Sequence, residues 1–429
     1  MPDSPDAPSP QPQGPRSSFT ALRYRDFRLL LLGQFASLTG SQMQLAAINW
    51  HIYILTHSKL ALGAIGLVRV VPIVLCSLIG GVLADVFDRK RLMMATQTSM
   101  LLSAAALALW TASGLTSVWP IYLLTAVSSA AVAFENPARQ ALVPMLVPAA
   151  HFPNAVSLGL VFFQISMIGG PALAGLILSA YSPAVVYVIN AASFIVYIVV
   201  LLLIRTSGRA QSEPSETPQV SFEALREGLR FVWRTPIIVQ TMTLDFIATF
   251  FASATALLPV FAADILRVGA RGFGILGAAP AVGAVIAGLV MARLGNIRRE
   301  GAVIIGSIAV YGIATVGFGL SRVFWLSVLM LSIVGAADTV STVIRQTIRQ
   351  LVTPNYLRGR MTSVNMIFFM GGPQLGELEA GALAALIGAP LAVATGGIGC
   401  LVAVAISMLW AKNLVSYEGR AWKASHLQN

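Results

Sequence analysis

Five ionisable residues stand inside runs that are otherwise apolar: Arg69, Asp245, Asp338, Glu377 and Glu379. An ionised side chain far from water costs several kcal/mol unless something compensates it. Each is therefore spent on a buried ion pair or a helix-to-helix hydrogen bond, or it works by binding a substrate or a proton. Glu377 and Glu379 are two residues apart, about 200° around a helix. They cannot both face one cavity, and Glu377 is the one expected to face it and to exchange a proton for substrate. Glu135 closes another apolar run, four residues before Arg139, and the two are expected to belong to a gate. No enzyme constellation accompanies these groups. His51, His57, His151 and His426 are scattered without metal-ligand spacing, and no Gly-rich Lys-Ser/Thr phosphate loop is present. The expectation is a protein that is not an enzyme, with no metal and no cofactor.

The elements that must position these groups follow from composition. Of 429 residues, 56% are hydrophobic and 10% charged, with mean hydropathy +0.78. A soluble domain carries roughly 25% charged residues, so lipid must be the solvent here. A membrane-crossing helix needs about 20 mostly apolar residues. Twelve such runs are predicted, near 29–50, 61–83, 92–112, 118–134, 157–179, 185–204, 237–258, 273–292, 302–320, 325–344, 365–386 and 391–411. The net charge of +11 does not imply nucleic acid, because the bases are sorted by side. Numbering the loops puts Arg89, Lys90, Arg91, Arg139, Arg205, Arg299, Arg345, Arg349 and most others on one face. Only Lys59, Arg267, Arg271 and Arg322 fall on the opposite face. That asymmetry predicts an inner membrane protein with both ends in the cytosol. Cys76 and Cys400 lie inside apolar runs and give no disulfide framework.

The chain divides in the middle. A Pro- and Ser-rich start (1–22) precedes a first set of helices (23–204). A polar connection (205–236) follows, beginning as a flexible linker and ending as an amphipathic helix. On that helix Phe222, Leu225, Leu229, Val232 and Trp233 share a face. A second set of helices (237–412) leads to a cytosolic tail (413–429). The halves repeat one another. Arg139-Gln140 and Pro148 recur 206 residues later as Arg345-Gln346 and Pro354. At the same offset Gly170-Pro171-Ala-Leu-Ala174-Gly175 lies over Gly376-Glu377-Leu-Glu379-Ala380-Gly381, so Glu377 takes the place of Pro171. Parallel repeats of six helices put a substrate site near the midplane, between the halves.

Two motifs carry a family resemblance. Gly81-Val-Leu-Ala-Asp85-Val-Phe-Asp88-Arg89-Lys90-Arg91 resembles the loop between the second and third helices of the major facilitator superfamily, with Val86 and Asp88 departing from its Arg and Gly. Gly170-Pro171-Ala-Leu-Ala174-Gly175 resembles the fifth-helix motif of its antiporter branches, with Ala174 replacing a Gly. Asn136-Pro-Ala-Arg-Gln-Ala-Leu-Val-Pro144 and Leu357-Arg-Gly-Arg-Met-Thr-Ser363 are similar to blocks of the siderophore and macrolide exporters. The resemblance implies an all-α membrane protein of twelve helices in two pseudo-symmetric six-helix bundles. It implies alternating access, export of a siderophore or amphipathic drug, proton antiport and a monomer without nucleic-acid partners. It assigns an inner gate to Gly81, Asp85, Asp88, Arg89, Lys90, Arg91, Glu135 and Arg139, with Asp85 bridging to Arg139 or Arg349. It assigns a rocking interface to Gly170, Pro171 and Gly175. The fourth helix lacks the Arg of many proton-driven relatives, and Ser41 stands where related exporters often have Asp. An importer of the same fold, and a membrane sensor or scaffold, are the alternative readings.

Overall fold

Each apolar run becomes one long helix except the seventh, 237–258, whose helix stops at Phe251. The computed structural model describes residues 20–206, 230–253, 255–294, 299–354 and 357–410, and the side chains of all of these except 77–86, 358–360, 362–364, 366, 367, 369, 370, 409 and 410. The helices are Arg25–Thr56 (α1), Lys59–Val86 (α2), Arg89–Ala112 (α3), Trp119–Leu146 (α4), Phe152–Leu178 (α5) and Pro183–Leu203 (α6). Pro236–Phe251 (α7), Gly269–Leu294 (α8), Glu300–Leu320 (α9), Phe324–Val352 (α10), Arg358–Ile387 (α11) and Ala389–Trp410 (α12) complete them. Beyond α7 the chain runs irregularly through a 3-10 turn at Thr255–Leu257 and a π turn at Phe261–Ile265. Connections are short, and local chemistry sets them. His57 ends α1 with φ 47°, Gly388 ends α11 with φ 88°, and Pro183 opens α6 at a position that needs no backbone donor.

Among the described residues, nine segments are long and apolar enough to cross a membrane. The helices α1, α4 and α11 are not among them. Gln34, Gln42, Gln44, Asn49 and His51 dilute the apolar character of α1, and Glu377 and Glu379 that of α11. The helix α4 passes its expected end at 134 and continues over Pro137 and Pro144 to Leu146, so Glu135 and Arg139 are within a helix. The helix α10 likewise runs on to Val352. Its Arg345 and Arg349, expected as surface bases, are 2% and 7% exposed. Hydropathy finds the apolar part of such a helix and misses the amphipathic continuation, whose polar face is buried.

Packing sorts the helices by half. The helix α1 packs on α5 and α6, α3 on α4 and α6, and α2 on α4. In the second half α7 packs on α11 and α12, α9 on α10 and α12, and α8 on α10. The halves meet along two seams, α2 against α11 and α5 against α8. All four seam helices carry an internal proline: Pro72, Pro373, Pro171 and Pro280. Such residues interrupt the backbone ladder and permit a bend. Of the expected connection, 207–229 is outside the described residues. Residues 230–234 are helical, with Val232 buried and Trp233 exposed.

Candidate functional site

The two ends of the molecule are built differently. At the end holding the α1–α2 and α11–α12 turns, one apolar core joins both halves. It includes Ala47, Ile52, Leu62 and Ala174 from the first half and Leu257, Phe261, Phe273 and Ala384 from the second. Trp50 stacks on Phe273 across the halves at 5.4 Å, and the Tyr53 hydroxyl donates to the Asp264 carboxylate. At the opposite end each half keeps its own core, around Leu30, Met93 and Leu142 in the first and around Met242, Ile304 and Ile348 in the second. Among the described residues the molecule thus has one shared core at one end, the sealed end, and two separate cores at the other, the divided end.

The seams run toward the sealed end and are made of backbone. A Cβ added at Gly66 would lie 2.1 Å from the Gln374 carbonyl oxygen, and one at Gly381 would lie 2.7 Å from Gly63 Cα. On the other seam, a Cβ at Gly175 would lie 2.6 Å from Gly274 Cα, and one at Gly274 would lie 2.6 Å from the Pro171 carbonyl oxygen. Helices this close leave no room for side chains. Of the fifth-helix motif, Pro171 and Gly175 face α8 in this way, while Gly170 lies against Gln42 of α1. Glu377 is on α11 at its seam, where Arg69 of α2 is the cation acting on it. The Gln374 side-chain oxygen, one turn away, is buried without a partner. Glu379 is half-buried and has no ion-pair partner among the described residues.

The remaining charges lie inside the halves. In the first, Ser37 Oγ donates to Gln97 Oε1 at 3.3 Å, and Gln97 Nε2 donates to Glu135 Oε2 at 2.7 Å. Arg139 acts on Glu135 one turn away and donates to Asn136 Oδ1 at 2.9 Å. This chain ties α1, α3 and α4 together. In the second half Arg345 Nη1 is 2.5 Å from Asp245 Oδ1, and its Nη2 donates to Thr342 Oγ1 at 2.8 Å. Asp245, Thr249, Tyr311, Asp338, Ser341 and Arg345 border one small cavity. The space suits about one water molecule.

At the divided end Asp88 is the N-cap of α3, accepting from the backbone of Lys90 at 2.9 Å and of Arg91 at 3.1 Å. Arg89 donates to the Ala141 carbonyl at 3.2 Å and Lys90 to the Ile204 carbonyl at 2.8 Å, which fastens the loop to α4 and α6. The side chains of Gly81 and Asp85 are outside the described residues. Asp26 accepts from the backbone amides of Arg205 and Thr206 and from the Thr206 hydroxyl. Burial pushes the Asp26 carboxyl up, but these hydrogen bonds outweigh it and hold the group below its ordinary value. Sequence reasoning missed Tyr53, Asp264, Gln97 and the pairing role of Arg345. Only Asp264 had a visible signal, as an acid ending an apolar stretch.

Several solved proteins share this fold. The chain resembles the solved nucleoside transporter NupG (TM-score 0.70, 14% identity, 92% of this chain and 100% of that one). It also resembles a bacterial homologue of the human lysosomal transporter spinster in an inward-facing, unoccupied conformation (TM-score 0.71, 13% identity, 91% and 98%). In sequence it is 25% identical over 376 residues to the enterobactin exporter EntS of Shigella dysenteriae serotype 1, covering 88% of this chain and 89% of the relative. The Escherichia coli O81 protein of that name matches equally. Residues 16–426 match the family described as transmembrane secretion effector. With that match over nearly the whole chain and an all-helical fold shared with major facilitator-type transporters, the chain belongs to the transmembrane secretion effector family, a multi-pass membrane transporter and not an enzyme.

Proposed function

We propose that this transporter exports a small organic compound, a siderophore or an amphipathic drug, by alternating access with proton antiport. The observation that carries the reading is the contrast between the ends: one core shared by both halves, then two cores kept apart. A cleft closed at one end and open at the other is half of an alternating cycle. Gly-to-Gly seams with a proline in each helix let the halves rock about the midplane. Twelve spans in two six-helix bundles, acting as a monomer in the inner membrane, accommodate the helices. With both termini in the cytosol, the open end faces inward.

Two features support an amphipathic, ring-bearing substrate. Phe35 meets Phe162 edge-on at 5.2 Å between α1 and α5, and Phe246 meets Phe368 edge-on at 6.1 Å between α7 and α11. Phe162 and Phe368 occupy repeat-equivalent positions, and all four rings are partly exposed. Beside them, Glu377 and Arg69 supply the charges of one seam, where they hold polar groups of the substrate or part as the cleft changes. Glu379 is a second carboxylate on the same helix. Asp85, with Arg89, Lys90 and Arg91, holds the inner gate, and Glu135 and Arg139 brace it from within the first half.

The test is efflux from proteoliposomes of known protein orientation. Enterobactin and ethidium, each preloaded, should leave faster when a proton gradient is imposed, and faster than from protein-free vesicles. Uptake against the gradient would instead make the protein an importer, and movement of neither compound under any gradient would remove these substrates. Labelling of single cysteines at Ser212 and Gly388 fixes orientation; reaction of Ser212→Cys from outside intact cells would invert it. Asp85→Asn should slow efflux at unchanged membrane level, and an unchanged rate would remove Asp85 from the gate.

A further inference from the structure

The cavity inside the second half is not the cleft between the halves, yet it is the more elaborate polar site. Three helices build it. Asp245 and Thr249 come from α7, Tyr311 from α9, and Asp338, Ser341 and Arg345 from α10. Asp338 and Arg345 are seven residues apart, two turns on one face, so both look toward Asp245. Two carboxylates and one guanidinium border the same cavity, and the guanidinium touches Asp245. Asp245 holds Arg345 at 2.5 Å and also feels Arg349 one turn further on. Asp338 has only what remains of Arg345, together with the Thr342 hydroxyl that Arg345 also uses. Among the described residues, α8, α11 and α12 contribute nothing to the lining of the cavity, charged or otherwise. Cys400 of α12 acts only through Tyr311 and donates to the Ile308 carbonyl.

One observation independent of the acids marks a working site. Arg345 Nε and Ser341 Oγ are buried without hydrogen-bond partners, in residues 2% and 1% exposed that border the cavity. Unpaired groups this deep cost about 1–3 kcal/mol each, and one water in the cavity would satisfy both. The repeat adds a contrast. Among the described residues, Arg139, the counterpart of Arg345, meets a carboxylate of its own helix, Glu135, and no second acid.

We propose that Asp338 is the proton-carrying carboxylate of this transporter and that Arg345, shared with Asp245, is its switchable counter-ion, reached through a water in the cavity. When Asp338 is protonated, Arg345 rests on Asp245. When Asp338 loses its proton to the cavity water, Arg345 is drawn between the two carboxylates, and α10 shifts against α7. Proton and substrate then occupy different places, the proton inside the second half and the substrate between the halves. The inference rests on the antiport reading above.

The experiment therefore has an arm that needs no substrate. The purified protein is reconstituted in phosphatidylethanolamine–phosphatidylglycerol vesicles and titrated by infrared spectroscopy in the protonated-carboxyl region. A band that titrates in the parent should vanish in Asp338→Asn and persist in Asp338→Glu. It should move along the pH axis in Asp245→Asn, because Arg345 is then left to Asp338 alone. In the transport arm, Asp338→Asn should still exchange enterobactin or ethidium down its gradient at near-parental rate, while the acceleration by a proton gradient falls to the no-gradient level. A set of titrating bands unchanged by Asp338→Asn overturns the inference, and so does gradient-driven efflux equal to the parent. If parental efflux ignores the gradient, the antiport reading fails instead, whatever the infrared band does. Thermal melting of each variant separates these results from misfolding.

Discussion

The α2–α11 and α5–α8 seams solve one packing problem in the same way and then diverge. Each brings two helices together glycine to glycine, Gly63 and Gly66 against Gly381 and its neighbours, Gly274 against Gly175. The spacing is repeated as well, since Gly63-x-x-Gly66 on α2 matches Gly274-x-x-Gly277 on α8. At the repeat-equivalent position, however, α5 has Pro171 and α11 has Glu377, which feels Arg69 across its seam. Packing alone does not require this, because an apolar residue would be accommodated at far lower cost. Close approach was therefore needed twice and charge once. A proline seam bends in any chemical environment, whereas a charged seam also responds to what enters the cleft. The two should react differently to substitution.

The widest separation is expected from Glu377→Gln and Pro171→Ala. Loss of the Glu377 charge should cut efflux of a carried compound severely, under a proton gradient and in downhill exchange alike. Pro171→Ala restores a backbone donor without touching the charge, and should slow transport by no more than about tenfold, on the order of 1.4 kcal/mol in the barrier. Initial rates in proteoliposomes at matched protein content make the measurement. Equal losses would mean that the seams differ in sequence and not in role.

Next in size are substitutions that attack what the seams share. Gly66→Val and Gly274→Val each force a side chain into a neighbouring backbone, at 2.1 Å from the Gln374 oxygen and 2.6 Å from the Pro171 oxygen as judged by a bare Cβ. Backbone cannot move aside as a flexible side chain can. Each should destabilise the protein by about 1–3 kcal/mol, and both should lower its melting temperature in detergent. If only one variant melts early, the sealed end depends on one seam.

A smaller effect tests the charge pair as a pair. Arg69→Leu leaves Glu377 without its cation, while Arg69→Leu with Glu377→Leu removes both charges. Truncating one partner of a buried pair is usually costly, and replacing both by apolar residues is often neutral. Arg69 is only half-buried and stands beyond ion-pair distance of Glu377, so at most about 1–2 kcal/mol is expected for the single variant, below the range for buried pairs in contact. The double variant should melt near the parent and still fail to transport. A double variant that transports would make the pair structural.

Much of this comparison could be read before any coordinates. The helices, the midpoint of the chain and the 206-residue repeat are written in long apolar runs, and an acid in place of a proline is visible once the repeat is aligned. What escaped was whatever depends on a partner far along the chain. Arg345 looks like one more inward-facing base until α10 proves long enough to turn it onto Asp245, 100 residues earlier. Asp88 looks like a departure from a loop pattern, but it caps α3. Tyr53 and Asp264 are 211 residues apart, and the π turn that carries Asp264 leaves no periodic trace.

That last pair offers the smallest and most selective test of how the sealed end is held. The Tyr53 hydroxyl joins the first half to Asp264 of the second, next to the Trp50–Phe273 stack. Opening this end must break the bond, while the glycine contacts need only slide. Asp264 is exposed, so water replaces the lost donor in Tyr53→Phe and no buried group is stranded. The net cost is then that of an ordinary hydrogen bond, about 0.5–1.5 kcal/mol, which shifts the balance toward the opposite state by roughly two- to tenfold. Asp264→Asn keeps an acceptor oxygen and should shift it less. A single cysteine at Leu62, inside the shared core and 0% exposed, reports the change through its rate of reaction with an impermeant maleimide, with Cys76 and Cys400 replaced by serine. Faster labelling in Tyr53→Phe than in Asp264→Asn, with both above the parent, makes the hydrogen bond a working latch. An unchanged rate in Tyr53→Phe would leave the closed end to the two glycine seams and the apolar core, and would make their shared packing, more than any polar contact, what sets the resting state.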